Sequence, residues 1–212
     1  LFKDQEDIDC SPSQTGLATD GRPVLPGDIK YKDLNHDGVI DSNDQAPIGY
    51  NPVPEMTFSL AAGLNWKGFD FSILLQGAAR SSIYLQQDIA WDNFGGNYYE
   101  EHIGRWTPET AATATYPRFT KGATAAHPNY YKSDYWLKDS KYLRLKNIQL
   151  GYTIPRKLLK KFGVRSLRVY ANAYNLFTWD NVKKVDPESP NNSNGQFYPQ
   201  QKVINFGINL NF

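Results

Sequence analysis

The sequence predicts an all-β protein, an antiparallel up-and-down run of strands from the wall of a transmembrane β-barrel. Three observations carry that reading. Apolar residues recur at every second position, most plainly at Ile204, Phe206, Ile208, Leu210 and Phe212, with Asn205, Gly207, Asn209 and Asn211 between them. A period of two makes one strand face apolar and the other polar. A barrel in lipid needs that alternation, with its greasy face outside and its wet face inside. The connections between strands run short, long, short, long, as barrel turns and loops do. Finally, mean hydropathy is −0.59, and no apolar run approaches the ~20 residues of a spanning helix.

Five strands are expected. The first covers about Met56–Trp66, with Phe58, Leu60, Ala62 and Leu64 on one face. Lys67-Gly68 is a two-residue hairpin signal. The second covers about Phe69–Tyr84, where Phe69, Phe71, Ile73 and Leu75 share a face. The third covers about Lys141–Ile154. Its apolar parity slips by one between Leu145 and Ile148, which predicts a β-bulge near Lys146-Asn147. The stretch from Pro155 to Gly163 has room for one helical turn ended by the glycine. The fourth strand covers about Ser166–Thr178, with Leu167, Val169, Ala171 and Ala173 on one face, and the fifth about Gln201–Phe212. The loops 85–140 and 179–200 are long.

If the short turns are periplasmic, Phe212 ends at the periplasmic rim and residues 1–55 form an extracellular loop region. Trp66, Phe69, Tyr152 and Phe162 are then inner girdle residues, and Phe177 and Trp179 outer ones. A net charge of +1 gives no global field toward nucleic acid. The lone Cys10 excludes an internal disulfide. The N-terminus lacks a basic-apolar leader, and from Leu1 the chain reads as a piece of a longer exported protein. No zinc spacing, nucleophile elbow or phosphate loop occurs, so no enzyme is expected.

The segment with the sharpest chemistry is 33–44. Asp33, Asn35 and Asp37 stand at positions one, three and five of a calcium-type loop. Gly38 allows the turn at six, and Val39 offers its carbonyl at seven. Ile40 can anchor the loop at eight, while Asp41 and Asp44 take nine and twelve. Hard cations need several oxygens together, and clustered carboxylates repel one another without a cation. A structural Ca2+ is expected, with Mg2+ the alternative ion. Two features depart from a helix-loop-helix sensor. Position twelve is Asp, with a shorter reach than Glu, and the flanks look extended around Gly27–Tyr31.

The stretch Gly27-Asp-Ile-Lys-Tyr-Lys-Asp-Leu-Asn-His-Asp-Gly-Val-Ile-Asp41 resembles the SusC/RagA family of TonB-dependent outer-membrane transporters. Lys67-Gly-Phe-Asp-Phe-Ser72, Gln76-Gly77, Tyr142-Leu-Arg-Leu-Lys-Asn147, Leu150-Gly-Tyr152 with Pro155, and Tyr170-Ala-Asn-Ala-Tyr-Asn-Leu-Phe177 agree with it. The resemblance covers nearly the whole chain and matches the C-terminal end of that family. It implies about five strands of a 22-stranded barrel in the bacterial outer membrane. The ending, Asn205, Gly207, Leu210 and Phe212, resembles the outer-membrane assembly signal.

The resemblance also implies partners: outer-membrane lipid, a SusD-like lipoprotein lid, the TonB complex reached through a part not in this stretch, and a glycan or peptide substrate. Trp91, Tyr98, Tyr99, Trp106 and Trp136 in the long loop are the candidate residues for stacking sugar or packing against the lid. The alternative reading is a soluble, secreted, calcium-stabilised carbohydrate-binding β-domain.

Overall fold

The computed structural model describes residues 1–17, 21–92, 98–121, 126–183, 185–189, 198 and 200–212. Five long strands form one antiparallel sheet. They are β1 (Met56–Trp66), β2 (Phe69–Ala79), β5 (Tyr142–Thr153), β6 (Ser166–Asp180) and β7 (Val203–Asn211), in that spatial order. Each strand neighbours the next long strand in the chain, so the topology is an up-and-down meander. Two short strands, β3 (Ser82–Tyr84) and β4 (Leu137–Asp139), pair separately. The expected second strand thus stops at Ala79, where Arg80 turns the chain with φ 54°.

The β1–β2 hairpin closes with Lys67 at φ 47° and Gly68 at φ 91°. Positive φ at both central residues is the turn whose twist matches the flanking strands. The β5–β6 connection holds the short helix α2 (Arg156–Leu159) and one 3₁₀ turn, and ends at Gly163 with φ 66°. The predicted bulge is present. Against β2 the pairing on β5 steps from Leu145 to Asn147, which leaves Lys146 as the extra residue, and against β6 Lys146 stands opposite two unpaired residues, Asn175 and Leu176. β6 answers with Asn175 in the left-handed region, a conformation that Asn tolerates better than most residues.

The register carries one apolar band across all five strands. Leu64 faces Phe71, Phe71 faces Leu150, Leu150 faces Ala171, and Ala171 faces Phe206. The bulge keeps the band in phase, for Leu75 meets Leu145 and Leu145 meets Phe177. Without the extra residue, every side chain beyond it on β5 would swap faces. The band is open to its surroundings: Leu64, Leu150 and Phe177 are exposed, and Phe206 is 83% exposed. Phe69 and Tyr152 touch at the hairpin end, with ring centroids 4.5 Å apart, and Phe177 stacks on Trp179 at the other end.

The opposite face is polar and ordered by side chains that reach across strands. Arg168 of β6 binds Asp70 of β2 over the intervening β5, its Nε 2.9 Å from Oδ1. Gly151 lies beneath that pair, where a Cβ would stand 2.5 Å from Asp70 Oδ1. The Arg168 guanidinium also covers the Tyr170 ring. That ring lies on Gly207, where a Cβ would come within 2.3 Å of it. Gly207, singled out in the terminal pattern, therefore has a packing reason, since only a bare backbone admits the aromatic cover.

The chain divides into two compact units. One contains β1, β2 and β5 to β7 within 49–83, 138–193 and 197–212. The other is built from 1–48 and 84–137. This second unit has little regular structure beyond helix α1 (Gln5–Asp9), which is capped by the Asp4 side chain at the Asp7 amide. Its interior is nevertheless dense with Phe2, Ile29, Ile40, Trp91, Tyr116, Tyr130 and Trp136.

Candidate functional site

The loop 33–44 is built by its own side chains. Asp33 accepts from the amides of His36 and Gly38, Asn35 from Asp37, and Asp37 from Val39 at 2.9 Å. Asp44 reaches back to the amides of Leu34 at 2.7 Å and Asp41 at 2.8 Å. These amides, Asp41 first, hold its carboxyl below the ordinary carboxylate range. Gly38 takes φ 84° and His36 φ 63°. Position eight anchors the loop as expected. Ile40 is buried, and its amide donates to Ser13 while Ser13 donates to Gly38. Because backbone groups alternate direction along an extended segment, the Val39 carbonyl is not the one that pairs with Ser13.

Among the described residues, no three His, Cys, Asp or Glu side chains converge on one point. The carboxylates instead cap the loop amides. The donor set is all oxygen, from Asp33, Asn35, Asp37, Asp41, Asp44 and the Val39 carbonyl, and in type it fits a hard cation. The expected extended entry is corrected in part. Gly27 sits in a turn with φ 89°, and a Cβ there would lie 2.7 Å from the Trp106 ring.

The five aromatic residues proposed for contacts divide. Trp91 and Trp136 are each 3% exposed and pack against Tyr130 in the unit's interior. They are core residues, and this corrects the expectation that they meet substrate or lid. Trp106 is half-buried, its indole donating to the Lys3 carbonyl at 3.1 Å. Tyr98 and Tyr99 are exposed, at 57% and 37%, and keep the contact role open beside exposed Ile103.

Sequence reasoning missed the polar knots that hold this unit. Asp28 binds Arg118 Nε at 2.7 Å, the Asn129 amide group at 2.9 Å and the Leu25 backbone. Asn129 also accepts from the Ile29 amide, and its carbonyl receives the Trp136 indole N–H. Buried Asp92 accepts from Tyr130 and from the Thr120 amide. His102 is buried, accepting from the Tyr99 amide at Nδ1 and meeting the Ala90 carbonyl at Nε2. No spacing rule could have paired residues about a hundred positions apart.

Burial pushes the Tyr116 and Tyr130 hydroxyls well above the ordinary 10.0, with Asp92 adding to both. Burial raises Tyr31 and Tyr135 as well. A group whose folded pKa is raised contributes stability that is complete below its unfolded pKa and is lost as pH climbs. The unit is therefore expected to hold through roughly pH 9 and to open above about pH 10. Tyrosinate absorbance should rise together with loss of native tryptophan fluorescence. Ionisation near pH 10 with native fluorescence retained would contradict this.

No family model matches the chain. Curated relatives do. TonB-dependent receptor P26 of Formosa agariphila is 30% identical over 224 aligned positions, which cover 100% of this chain and 21% of the relative. TonB-dependent receptor SusC of Bacteroides thetaiotaomicron is 26% identical, covering 91% of this chain and 18% of the relative. The chain thus spans about a fifth of the length of the curated relatives it matches. The solved RagAB peptide transporter shares the fold, with a TM-score of 0.65 at 22% identity over 82% of this chain and 19% of that one. The apolar band, the meander of strands and these relatives agree: over its whole length the chain is a homologue of TonB-dependent outer-membrane receptors such as SusC, with the fold of a stretch of their β-barrel wall.

Proposed function

We propose that this stretch serves a TonB-dependent importer that works with a SusD-like surface lipoprotein and takes up glycans or peptides. The observation that supports it most is the apolar band that crosses five strands and stays on one face through the bulge, backed by an ordered polar face. Such a sheet separates lipid from a wet interior. In this reading the short turns at Lys67-Gly68 and 155–163 are periplasmic, and Asn205, Gly207, Leu210 and Phe212 form the assembly signal. Tyr98 and Tyr99 contact lid or cargo. The likeness to a peptide transporter favours peptide as cargo. Labelled oligopeptides and oligosaccharides offered to cells test this. Uptake of one class should vanish when either the full-length receptor or TonB is removed. Uptake that survives both losses contradicts an importer.

The loop 33–44 is proposed to take Ca2+ as a structural ion, with Asp33, Asn35, Asp37, Asp41, Asp44 and the Val39 carbonyl as ligands. A bound cation would supply charge neutralisation and stiffness, and no chemistry. Asp at the twelfth position argues for weak binding, with Kd of about 10⁻⁴ to 10⁻³ M, as in extracellular modules. Calorimetry on the full-length receptor should show calcium binding in that range, weaker magnesium binding, and loss of both in Asp37→Ala. Absence of heat up to about 10 mM calcium, ten times the upper bound, contradicts the site.

A further inference from the structure

The short-turn end of the sheet concentrates positive charge and exposed apolar side chains. No Asp or Glu occurs between Asp139 and Asp180. Within that span the β5–β6 turn carries Arg156, Lys157, Lys160, Lys161 and Arg165, all exposed. The neighbouring hairpin adds exposed Lys67, for the Thr153 amide donates to the Gly68 carbonyl at 2.7 Å. Among the described residues none of these six cations stands in an ion pair. Asp70, the carboxylate flanking the hairpin, is taken by Arg168. The other end of the sheet is balanced, with Arg80 facing Glu55 and Lys141 paired to Asp139.

Apolar groups accompany these charges. Leu158 and Phe162 lie four residues apart on the α2 stretch and are 65% and 76% exposed, while Leu159 between them is buried. A water-facing turn has little reason to bury Leu159 and present Leu158 and the larger Phe162 outward. Trp66 and Phe69 are exposed at the same end, and Lys67 sits over the Trp66 ring. Apolar side chains beside unpaired lysines suit the boundary between headgroups and acyl chains, where ammonium groups reach out to phosphate.

We propose that this end is an anchor for anionic phospholipid. Lys67, Arg156, Lys157, Lys160, Lys161 and Arg165 bind the phosphodiester headgroups of the adjoining leaflet, and Leu158 and Phe162 enter the acyl region beneath them. This rests on the reading of a membrane barrel whose short turns face the phospholipid leaflet.

Native mass spectrometry of the full-length receptor in detergent tests it, with phosphatidylglycerol, phosphatidylcholine and lipid A as probes. Wild type should retain phosphatidylglycerol at least tenfold better than phosphatidylcholine, and 1 M salt should erase that preference in competition binding. The triple variant Lys157→Gln, Lys160→Gln, Lys161→Gln should lose about fivefold per lysine, roughly a hundredfold, with an unchanged melting temperature. Equal retention of the two phospholipids, or a triple variant that binds like wild type, overturns the anchor and leaves the barrel reading standing. Retention of lipid A in preference to phosphatidylglycerol overturns both the anchor and the assigned side of the turns.

Discussion

Arg144→Ala is expected to destabilise the barrel wall by about 3–5 kcal/mol. Arg144 is 1% exposed on the polar face of β5. Its guanidinium binds Asp186 at 2.7 Å, Glu188, and the Thr178 hydroxyl at 3.0 Å, and it covers the Tyr142 ring. Tyr142 also donates to Glu188 at 2.6 Å, and Lys146, the bulge residue, stands 3.8 Å from that carboxylate. The cluster fastens the segment after β6 to the wall. Removing the arginine leaves the largely buried Asp186 carboxylate without its cation and Glu188 with Lys146 at 3.8 Å, and a poorly solvated charge left unpaired costs more than the pair ever contributed.

The full-length receptor should show a lower denaturant midpoint and faster tryptic cleavage after exposed Lys183. Arg144→Ala combined with Asp186→Ala and Glu188→Ala should cost less than the single change, because nothing charged is then stranded. If the triple variant costs more than the single one, the cluster acts through packing and the charge argument fails.

Asp28→Ala is expected to cost a similar amount, about 3–5 kcal/mol, in the other unit. Asp28 and Arg118 have side chains 6% and 22% exposed, so solvent screens them little. Three partners lose their acceptor at once: Arg118, the Asn129 side chain and the Leu25 amide. Asn129 in turn positions the Ile29 amide and receives the Trp136 indole on its carbonyl, so the damage extends into the aromatic core. Asp28→Asn keeps the size and one acceptor and should cost less. The readouts are the denaturant midpoint of the tryptophan signal and a double-mutant cycle with Arg118→Ala. Coupling below about 0.5 kcal/mol contradicts the proposed link.

The two units differ in how far the sequence reveals them. The wall was legible because lipid on one side and water on the other impose a period of two, and Leu143, Leu145, Ile148 and Leu150 even disclosed the slip that becomes the bulge at Lys146. Ile40 was legible for a different reason, its place at position eight of a calcium-type loop, where an apolar anchor is expected. The unit of 1–48 and 84–137 was not. Its core rests on single contacts such as Asp28 with Arg118 and Asp92 with Tyr130, across irregular backbone with no repeating pattern. Trp91 and Trp136 looked like contact residues because loop aromatics carry no periodicity that would mark them as core. The partners of Gly151 and Gly207 were hidden as well, since a close approach appears only once strand register is known.

The central claim is that β7 and its neighbours turn one face to lipid. Site-directed spin labelling along β7 tests it most directly, in the full-length receptor reconstituted in a bilayer, with exposed Cys10 replaced by Ser. Labels at positions 204, 206, 208 and 210 should be reached by oxygen dissolved in the acyl region, and labels at 205, 209 and 211 by a water-soluble relaxant. Accessibility should alternate residue by residue along the strand. Equal access of the water-soluble relaxant at both sets of positions would contradict a lipid-facing wall.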